Sequence, residues 1–196
     1  MADVLHFDIE EALDLFLNVF WEKGYKATTT KELARIAGIS ESSLFHTFRS
    51  KRHIYVSSLK RYNEKRKLWT ERMESNESAL EGIKEYWRTI GNLAADPTKT
   101  RGCMITNATI EVTGDPEFLE YLQSVHTRYD TQFKQELDRA VALGELSEDA
   151  DTMALAQFLA CSLQGLRLLA RVSPSEEKVN NILDMTMSTV YRFAKN

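Results

Sequence analysis

Cysteine, proline and glycine are all scarce in this chain of 196 residues, which contains 2 Cys, 3 Pro and 8 Gly. The two cysteines, Cys103 and Cys161, are too few for a disulfide framework, and their spacing fits no metal site. Turn-forming residues are few, and alternation of apolar and polar positions is nearly absent, which disfavours a β-sheet protein. The composition therefore predicts an all-α fold.

Export signals and catalytic motifs are missing as well. No apolar run approaches the roughly 20 residues needed to span a bilayer. The N-terminus is acidic and amphipathic, unlike a signal peptide, so we expect a cytoplasmic protein. We find no nucleophile–base spacing, no Gly-rich phosphate loop and no metal-ligand cluster, so we expect neither an enzyme nor a cofactor.

Charge is unevenly distributed along the chain, whose net charge is −4. Residues 1–67 carry 12 basic and 9 acidic side chains, and residues 31–67 alone carry 10 and 3. The remaining residues, 68–196, carry 13 basic and 20 acidic side chains. This division predicts an N-terminal part that meets a phosphate backbone and an acidic body that does not touch DNA.

The segment TTTKELARIAGISESSLFHTF, residues 28–48, has the pattern of a helix-turn-helix. A small residue, Ala34, stands where the two helices would cross, and Gly38 suits a turn with positive φ. The second helix, from Ser40 to Thr47, turns Leu44 inward and leaves a polar face for the DNA groove. The sequence therefore predicts a DNA-binding regulator.

Apolar periodicity and capping residues predict the other helices. They cover residues 7–23 (ended by Gly24), 51–75, 77–95, 102–113, 116–143, a helix capped by Ser147 that runs to about 172, and a last helix with Ser173 and Glu176 as a capping box. Thr30 is the expected N-cap of the helix before the turn, although the cap could shift by one residue.

Two basic stretches leave alternatives open. Lys51 and Arg52 lie in the first turn of a helix, where the macrodipole disfavours cations, and a bound phosphate would relieve that conflict. The run at residues 60, 61 and 65–67 fits a solvated face or a DNA contact equally well.

On these residues the chain resembles the TetR family of one-component transcriptional regulators. The resemblance rests on Gly24, Thr28 to Thr30, Leu33-Ala34, Ala37 to Ser40, Leu44-Phe45, Phe48 and Ser50-Lys51. It implies a homodimer formed by the last two helices, a small-molecule pocket in the body, and repression that a ligand relieves at a near-palindromic operator. Residues 1–50 would form the DNA-binding domain, and residues 51–196 the effector-binding and dimerisation domain.

The predicted sites follow from the motif and from helix position. Residues predicted to meet double-stranded DNA are Thr29, Thr30, Ser40, Ser42, Ser43, Phe45, His46, Thr47 and Lys51. Residues predicted to line the effector pocket are Trp69, Trp87, Met104, Asn107, Glu111, Tyr121, Val125 and Tyr129. This pocket is aromatic with few charges, which favours a small hydrophobic or aromatic effector.

Some of these predictions have alternatives. Asn107 and Glu111 fit internal hydrogen bonding as well as ligand recognition. Cys103 is either an inert buried thiol or a redox or electrophile sensor, because Arg101 and a helix N-terminus would lower its pKa. A helical protein-interaction module without DNA binding is the remaining alternative to a regulator.

Overall fold

A computed structural model describes residues 8–96, 98, 101–112 and 114–195. Over these residues the chain forms ten α-helices and no β-strand, which confirms the all-α prediction. The helices are α1 (Ile9–Ala27), α2 (Thr30–Ile36), α3 (Glu41–Phe48), α4 (Lys51–Glu64), α5 (Lys67–Glu74), α6 (Ala79–Ala95), α7 (Met104–Val112), α8 (Pro116–Ala142), α9 (Thr152–Ala170) and α10 (Glu176–Tyr191). Phe7, Pro97 and Thr113, which the sequence analysis placed at a helix end or in a loop, lie outside the described residues.

The N-terminal head consists of α1, α2 and α3. Phe16 of α1 is fully buried, and its ring meets the edge of Phe48 with the ring centroids 5.7 Å apart. Leu33 and Leu44 are also fully buried, one from each helix of the helix-turn-helix. The inward side chains predicted from the sequence therefore do form the core of the head.

Hydroxyl side chains cap the N-termini of α2, α3 and α4. Thr29 Oγ accepts from the Glu32 N–H at 3.2 Å, Ser40 Oγ from the Ser43 N–H at 3.1 Å, and Ser50 Oγ from the His53 N–H at 3.1 Å. The cap of α2 is thus Thr29 rather than Thr30, the shift of one residue that the sequence had left open.

Two caps in the C-terminal part were predicted at the wrong residues. Asp151, not Ser147, caps α9. Ser147 lies in the preceding turn, where its N–H donates to the Phe193 carbonyl at 2.7 Å. Ser175, not Ser173, caps α10 by accepting from the Lys178 N–H at 3.2 Å. Ser173 is left to accept from Lys178 Nζ at 3.1 Å.

The helix predicted over residues 51–75 is interrupted. Helix α4 ends at Glu64, and α5 begins at Lys67. Neither Pro nor Gly causes this break. Arg66 packs there against aromatic rings, 3.9 Å from the centroid of Tyr62 and 4.8 Å from that of Trp69. Arg66 also lies 5.6 Å from the ring centroid of Trp21 of α1, a tertiary contact at the break that helical periodicity cannot reveal.

Two apolar cores hold the helices together. The first joins the head to α4, α7 and the beginning of α8, and the second joins α5, α6, α9 and α10 to the rest of α8. Helix α8 links the two, since Phe118 is buried in the first core and Phe133 in the second. A domain boundary at residue 50 stays a prediction, because the first core crosses that point.

Helix α9 is long and apolar enough, by length and composition, to cross a membrane, although the sequence analysis found no such run. Within the protein, 44% of that stretch is buried, as in a core helix that packs on its neighbours. Leu159, Leu163 and Leu166 supply much of this buried side. The membrane-like composition therefore reflects packing on more than one face.

Candidate DNA-binding face and effector cavity

The helix-turn-helix is formed by α2, a turn and α3. Gly38 has a φ of 67°, a conformation that other residues adopt only with strain. The Ile39 N–H donates to the Ala34 carbonyl at 3.0 Å and closes the turn, and Ala34 is buried as the crossing of two helices requires. Both small residues are thus needed where the sequence placed them.

Helix α3 presents a polar outer face. Ser42, Ser43, Phe45 and His46 are exposed, whereas Thr47 is half-buried. The hydroxyls of this face are already engaged within the helix: Ser43 Oγ lies 2.9 Å from Ser40 Oγ. Hydroxyl groups can exchange such local bonds for bases or phosphates, so these residues are suited to the role predicted for them.

Glu41, whose charge conflicts with DNA, is tied to the neighbouring helix. Its carboxylate accepts a hydrogen bond from Thr30 Oγ at 2.9 Å. Thr30 therefore connects α2 to α3. Thr28 is buried and donates to the Gly24 carbonyl at 2.7 Å, which removes it from the candidate DNA-binding face.

Arg52 does not need a phosphate to relieve its position in the first turn of α4. Its guanidinium pairs with Asp115 and lies 3.0 Å from the Glu117 carboxylate. Asp115 is at the same time the N-cap of α8. Lys51 instead places its ammonium group 4.4 Å from the centroid of the Tyr25 ring. The phosphate hypothesis is therefore wrong for Arg52 and stays a prediction for Lys51.

The basic run of α4 mainly holds α4 against α1. Arg61 Nε lies 2.9 Å from Asp14, and Lys65 Nζ lies 2.7 Å from the same carboxylate. The hydrogen bond from Arg61 lowers the pKa of Asp14 to about 2. Lys67 pairs with Glu71 at 3.2 Å. Most of this run is therefore not an open surface for DNA.

Several basic side chains of the head were not proposed as DNA contacts from the sequence, among them Lys31 and Arg49. Lys31, in the first turn of α2, and Arg49, directly after α3, are exposed, and neither forms an ion pair with any described residue. Arg49 has a φ of 62°, a strained value for a residue with a side chain. Sequence periodicity carries no signal for that conformation.

Glu111 connects the body to the head. Its carboxylate accepts from the Tyr25 N–H at 2.9 Å and from the Lys26 N–H at 2.8 Å. Both donors follow Gly24, whose φ of 82° interrupts the helical conformation of α1. A Cβ at Gly24 would lie 2.7 Å from the Glu111 carboxylate. We call this arrangement the Glu111 clamp; it fixes the point where the chain leaves α1 for the helix-turn-helix.

A cavity of about 350 Å³ lies between the head and the body. We call it the effector cavity, after the role that we propose for it below. The described residues that line it are Trp21, Arg66, Trp69, Ile90, Leu93, Ala94, Thr98, Arg101, Gly102, Cys103, Arg167, Ala170 and Arg171. The lining combines two indole rings with four guanidinium groups and contains no carboxylate among these residues. This cavity therefore differs from the pocket with few charges that the sequence predicts.

The eight residues predicted for the pocket are dispersed in the structure. Trp69 lines the effector cavity, and Met104, Asn107 and Glu111 line a separate cavity of about 250 Å³ beside Gly24. The others pack elsewhere, namely Trp87, Tyr121, Val125 and Tyr129. Helix position alone could not predict which side chains face an empty space.

Asn107 has an internal role, which was one of its two predicted alternatives. Its amide nitrogen donates to the Arg101 carbonyl at 2.9 Å, and its amide oxygen accepts from Arg171 at 3.0 Å. These bonds hold two arginines of the cavity wall in place. Asn107 therefore shapes the cavity from behind.

Cys103 is buried, lines the effector cavity and lies just before α7. Burial raises the pKa of its thiol, but Arg167, Arg66, the Tyr62 hydroxyl and the Thr106 N–H together outweigh burial and lower this pKa from 9.0 to about 7. Arg101, the predicted cause, is not among these groups. The surroundings of the thiol therefore favour its ionised form more than those of a free cysteine do.

A helix-turn-helix head joined to a helical body with an internal cavity defines a DNA-binding transcriptional regulator rather than an enzyme or a helical interaction module. Comparison with known proteins agrees: residues 12–57 match the family described as bacterial regulatory proteins, tetR family, and residues 79–185 match the tetracyclin repressor-like C-terminal domain. The chain belongs to the TetR family.

Relatives along nearly the whole chain are regulators too. The chain is 32% identical over 187 residues to the uncharacterised HTH-type transcriptional regulator YezE of Bacillus subtilis, covering 94% of this chain and 96% of YezE. It is 31% identical to the HTH-type transcriptional repressor ComR of Escherichia coli, covering 92% and 88%. A cysteine mutant of the TetR family regulator CifR, solved with 26-base-pair operator DNA, has a TM-score of 0.82 and 26% identity, covering 93% of this chain and 97% of CifR.

Proposed function

We propose that this protein represses transcription from a near-palindromic operator and that a small molecule in the effector cavity releases it. The composition of the cavity wall carries the proposal. The wall includes Trp21 of α1, Arg66 at the break after α4, and Trp69 of α5. A bound molecule would therefore contact the first helix of the head and the connection between head and body at once.

Movement at Trp21 would be transmitted to the recognition helix. Asp14 ties α1 to α4 through Arg61 and Lys65, and the Glu111 clamp holds the end of α1. The head would therefore move largely as one body when a ligand displaces its first helix. A coupling free energy of about 1–3 kcal/mol between ligand and operator would change operator affinity by roughly 5- to 150-fold.

Exposed groups of the helix-turn-helix would contact the operator. We retain the residues predicted from the sequence and add Lys31 and Arg49 as phosphate contacts, because both are exposed and unpaired within the described chain. The relative ComR is a repressor, and CifR was solved on operator DNA, which supports the same role for this chain. Such a role places the protein in the cytoplasm, with the DNA.

A homodimer would form through the last two helices. Along α9, Phe158, Gly165 and Leu169 recur at helical spacing and are exposed, and Val172 is exposed just after the helix. On α10, Met185 is 68% exposed. No atom lies near the position of a Cβ on Gly165, so a second helix could approach closely there. Two heads related by a two-fold axis would then read half-sites roughly 34–36 Å apart.

Operator selection from random duplex DNA tests this function directly, and Arg49→Ala tests the added contact. We expect the selected site to be nearly palindromic. In the dimer, Arg49→Ala should reduce the slope of log affinity against log salt by about 2, one phosphate for each subunit. Fluorescence anisotropy with the selected duplex measures both.

Lys67→Ala is the matched control, because Lys67 is exposed on α5 and pairs with Glu71. Its salt slope should equal that of the unaltered protein. A selection that returns no preferred sequence would contradict the operator proposal, and an unchanged slope for Arg49→Ala would remove Arg49 from the interface.

Thiol sensing through Cys103 is a second candidate function. The observation that favours it is the lowered pKa of a thiol that opens onto the effector cavity. Arg66 donates to the Tyr62 hydroxyl, and that hydroxyl is hydrogen-bonded to the thiol. Oxidation or alkylation of Cys103 would therefore disturb Arg66 at the break between α4 and α5, the same connection that a ligand would contact.

The ionisation of Cys103 predicts its reactivity. Because its pKa in the folded protein is lowered to about 7, alkylation by iodoacetamide should accelerate as pH rises, with a midpoint near pH 7. Cys161 is exposed, so the measurement is made in a Cys161→Ser background by mass spectrometry. A midpoint near the ordinary value of a thiol would contradict the assigned environment. If hydrogen peroxide releases the Cys103→Ser variant from the operator as readily as it releases the unaltered protein, the sensing role of Cys103 is excluded.

A further inference from the structure

Arg167 is a buried cation without a carboxylate partner. Its side chain lines the effector cavity, the residue is only 6% exposed, and its Nη1 atom makes no hydrogen bond to any described residue. The groups that act on its charge are the Cys103 thiol and three tyrosines, with the ring of Tyr129 5.8 Å away. A buried guanidinium with an unused donor is costly unless an anion completes it.

Three further arginines line the same cavity. Arg66 is stacked on aromatic rings, Arg101 donates to Asn18 at 3.0 Å, and Arg171 donates to Asn107 at 3.0 Å. None of the three pairs with a carboxylate in the part of the chain that the structure describes. The partners described above are neutral, so none of the carboxylates in the described ion pairs cancels the positive charge of the wall.

Flat aromatic surfaces complete the wall. Arg101 lies 4.1 Å from the ring centroid of Trp21, and Arg66 lies 4.8 Å from that of Trp69. Ile90 and Leu93 add apolar surface. The cavity therefore offers an apolar, aromatic space together with a forked donor that matches the planar geometry of a carboxylate.

We propose that the effector is an aromatic carboxylate whose anionic group binds Arg167 and whose ring lies against Trp21 and Trp69. This inference rests on the proposed function, because it names the chemical class that the effector cavity takes. The Cys103 thiol alone does not complete the wall, because the lining holds four guanidinium groups and only those of Arg167 and Arg66 act on the thiol. A neutral aromatic ligand would leave Nη1 of Arg167 without an acceptor of matching charge.

Matched pairs of acids and amides test the proposal. Benzoate, cinnamate and naphthoate are titrated into the full-length protein by isothermal titration calorimetry, each beside its primary amide. We expect at least one acid to bind about 10- to 100-fold more tightly than its amide, as hydrogen bonds to charged groups allow. Arg167→Met should reduce that preference to about twofold or less, because the apolar surface remains and the charged donor is lost.

Arg128→Met is the control, since Arg128 is exposed on α8 and lies outside the cavity lining. It should keep the full preference for the acid. Circular dichroism checks folding, and Arg101→Met serves as a second cavity variant if Arg167→Met does not fold. Equal binding of acid and amide, or binding of neither member of any pair, overturns the proposal.

The same titrations separate the two proposals. If an acid binds through Arg167 but leaves operator affinity unchanged, the inferred ligand class stands, and the proposal that a ligand in this cavity releases the repressor from the operator is contradicted. If a neutral compound releases the operator through this cavity while the acids do not bind, release stands and the ligand class is overturned.

Discussion

A Met185→Glu variant is expected to be monomeric and to bind the operator at least about 100-fold more weakly than the unaltered protein. Met185 is 68% exposed on α10, beside Phe158 and Ile182 in an apolar groove between the last two helices. In a two-fold dimer each subunit would bury one uncompensated carboxylate there. A buried unpaired charge costs about 3–5 kcal/mol, which corresponds to more than about 100-fold in dimerisation.

Loss of the dimer would also weaken binding to the operator. A single head makes too few contacts for tight specific binding, so the monomer should retain only weak, salt-sensitive affinity. Analytical ultracentrifugation measures the mass, and anisotropy with the operator duplex measures affinity. The fold of each subunit should be retained, because Met185 is already in solvent in the isolated chain.

Leu68→Glu is the matched control for this experiment. Leu68 is an exposed apolar residue of α5, 52% accessible, and lies outside the groove, so the substitution adds the same charge at a comparable site. We expect it to remain dimeric and to bind the operator normally. A Met185→Glu protein that stays dimeric at micromolar concentration would show that this groove is not the interface.

Removal of the Glu111 clamp is expected to loosen the head. Glu111→Ala deletes the acceptor of two backbone N–H groups, those of Tyr25 and Lys26. Tyr25 is half-buried, so its N–H loses a partner that water replaces poorly, whereas Lys26 is exposed. We expect the free energy of unfolding to fall by about 1–3 kcal/mol.

The clamp also bears on function. Without it the segment after Gly24 is free to change the direction of α2, so operator affinity should fall and the response to a bound effector should weaken. Hydrogen exchange measured at the amides of Tyr25 and Lys26 reports the local opening. Thermal unfolding and operator titration report the stability and the coupling.

Glu120→Ala provides the comparison for Glu111→Ala. Glu120 is exposed on α8, and its removal changes the net charge equally without touching the head. Glu111→Gln should give an intermediate result, because the amide keeps one acceptor oxygen and turns a donor toward the second N–H. Unaltered exchange at both amides in Glu111→Ala would show that the clamp is dispensable.

Much of the head could be predicted from the sequence. Ala34, Gly38 and Leu44 are constrained by local geometry: a small residue at a crossing, a positive φ in a turn, and an inward position in a short helix. Such constraints operate within about ten residues of chain and leave a recognisable pattern. The N-terminal part does carry the excess of basic residues, although several of these side chains are paired with acidic residues in the structure.

Contacts between residues far apart in the chain could not be predicted from the sequence. Arg52 meets Asp115, 63 residues later, and Tyr25 meets Glu111, 86 residues later. Nothing local distinguishes these carboxylates from solvated ones. The break at Arg66 is of the same kind, because its partners include Trp21 on another helix.

The sequence by itself determined the all-α fold and the helix-turn-helix, since both follow from periodicity, turn chemistry and motif spacing, and its motif residues resemble those of the family that the comparisons confirm. Only the tertiary structure decided the effector cavity, where Trp69 alone was anticipated and Arg167 was not. The physical reason is that the empty space is bounded by residues from four helices and from the segments between or after helices, and no single segment encodes which side chains face it. Cys103 shows the same limit. The sequence predicts Arg101 as the cation that lowers its pKa, but the arginines that do so, Arg167 and Arg66, come from distant parts of the chain.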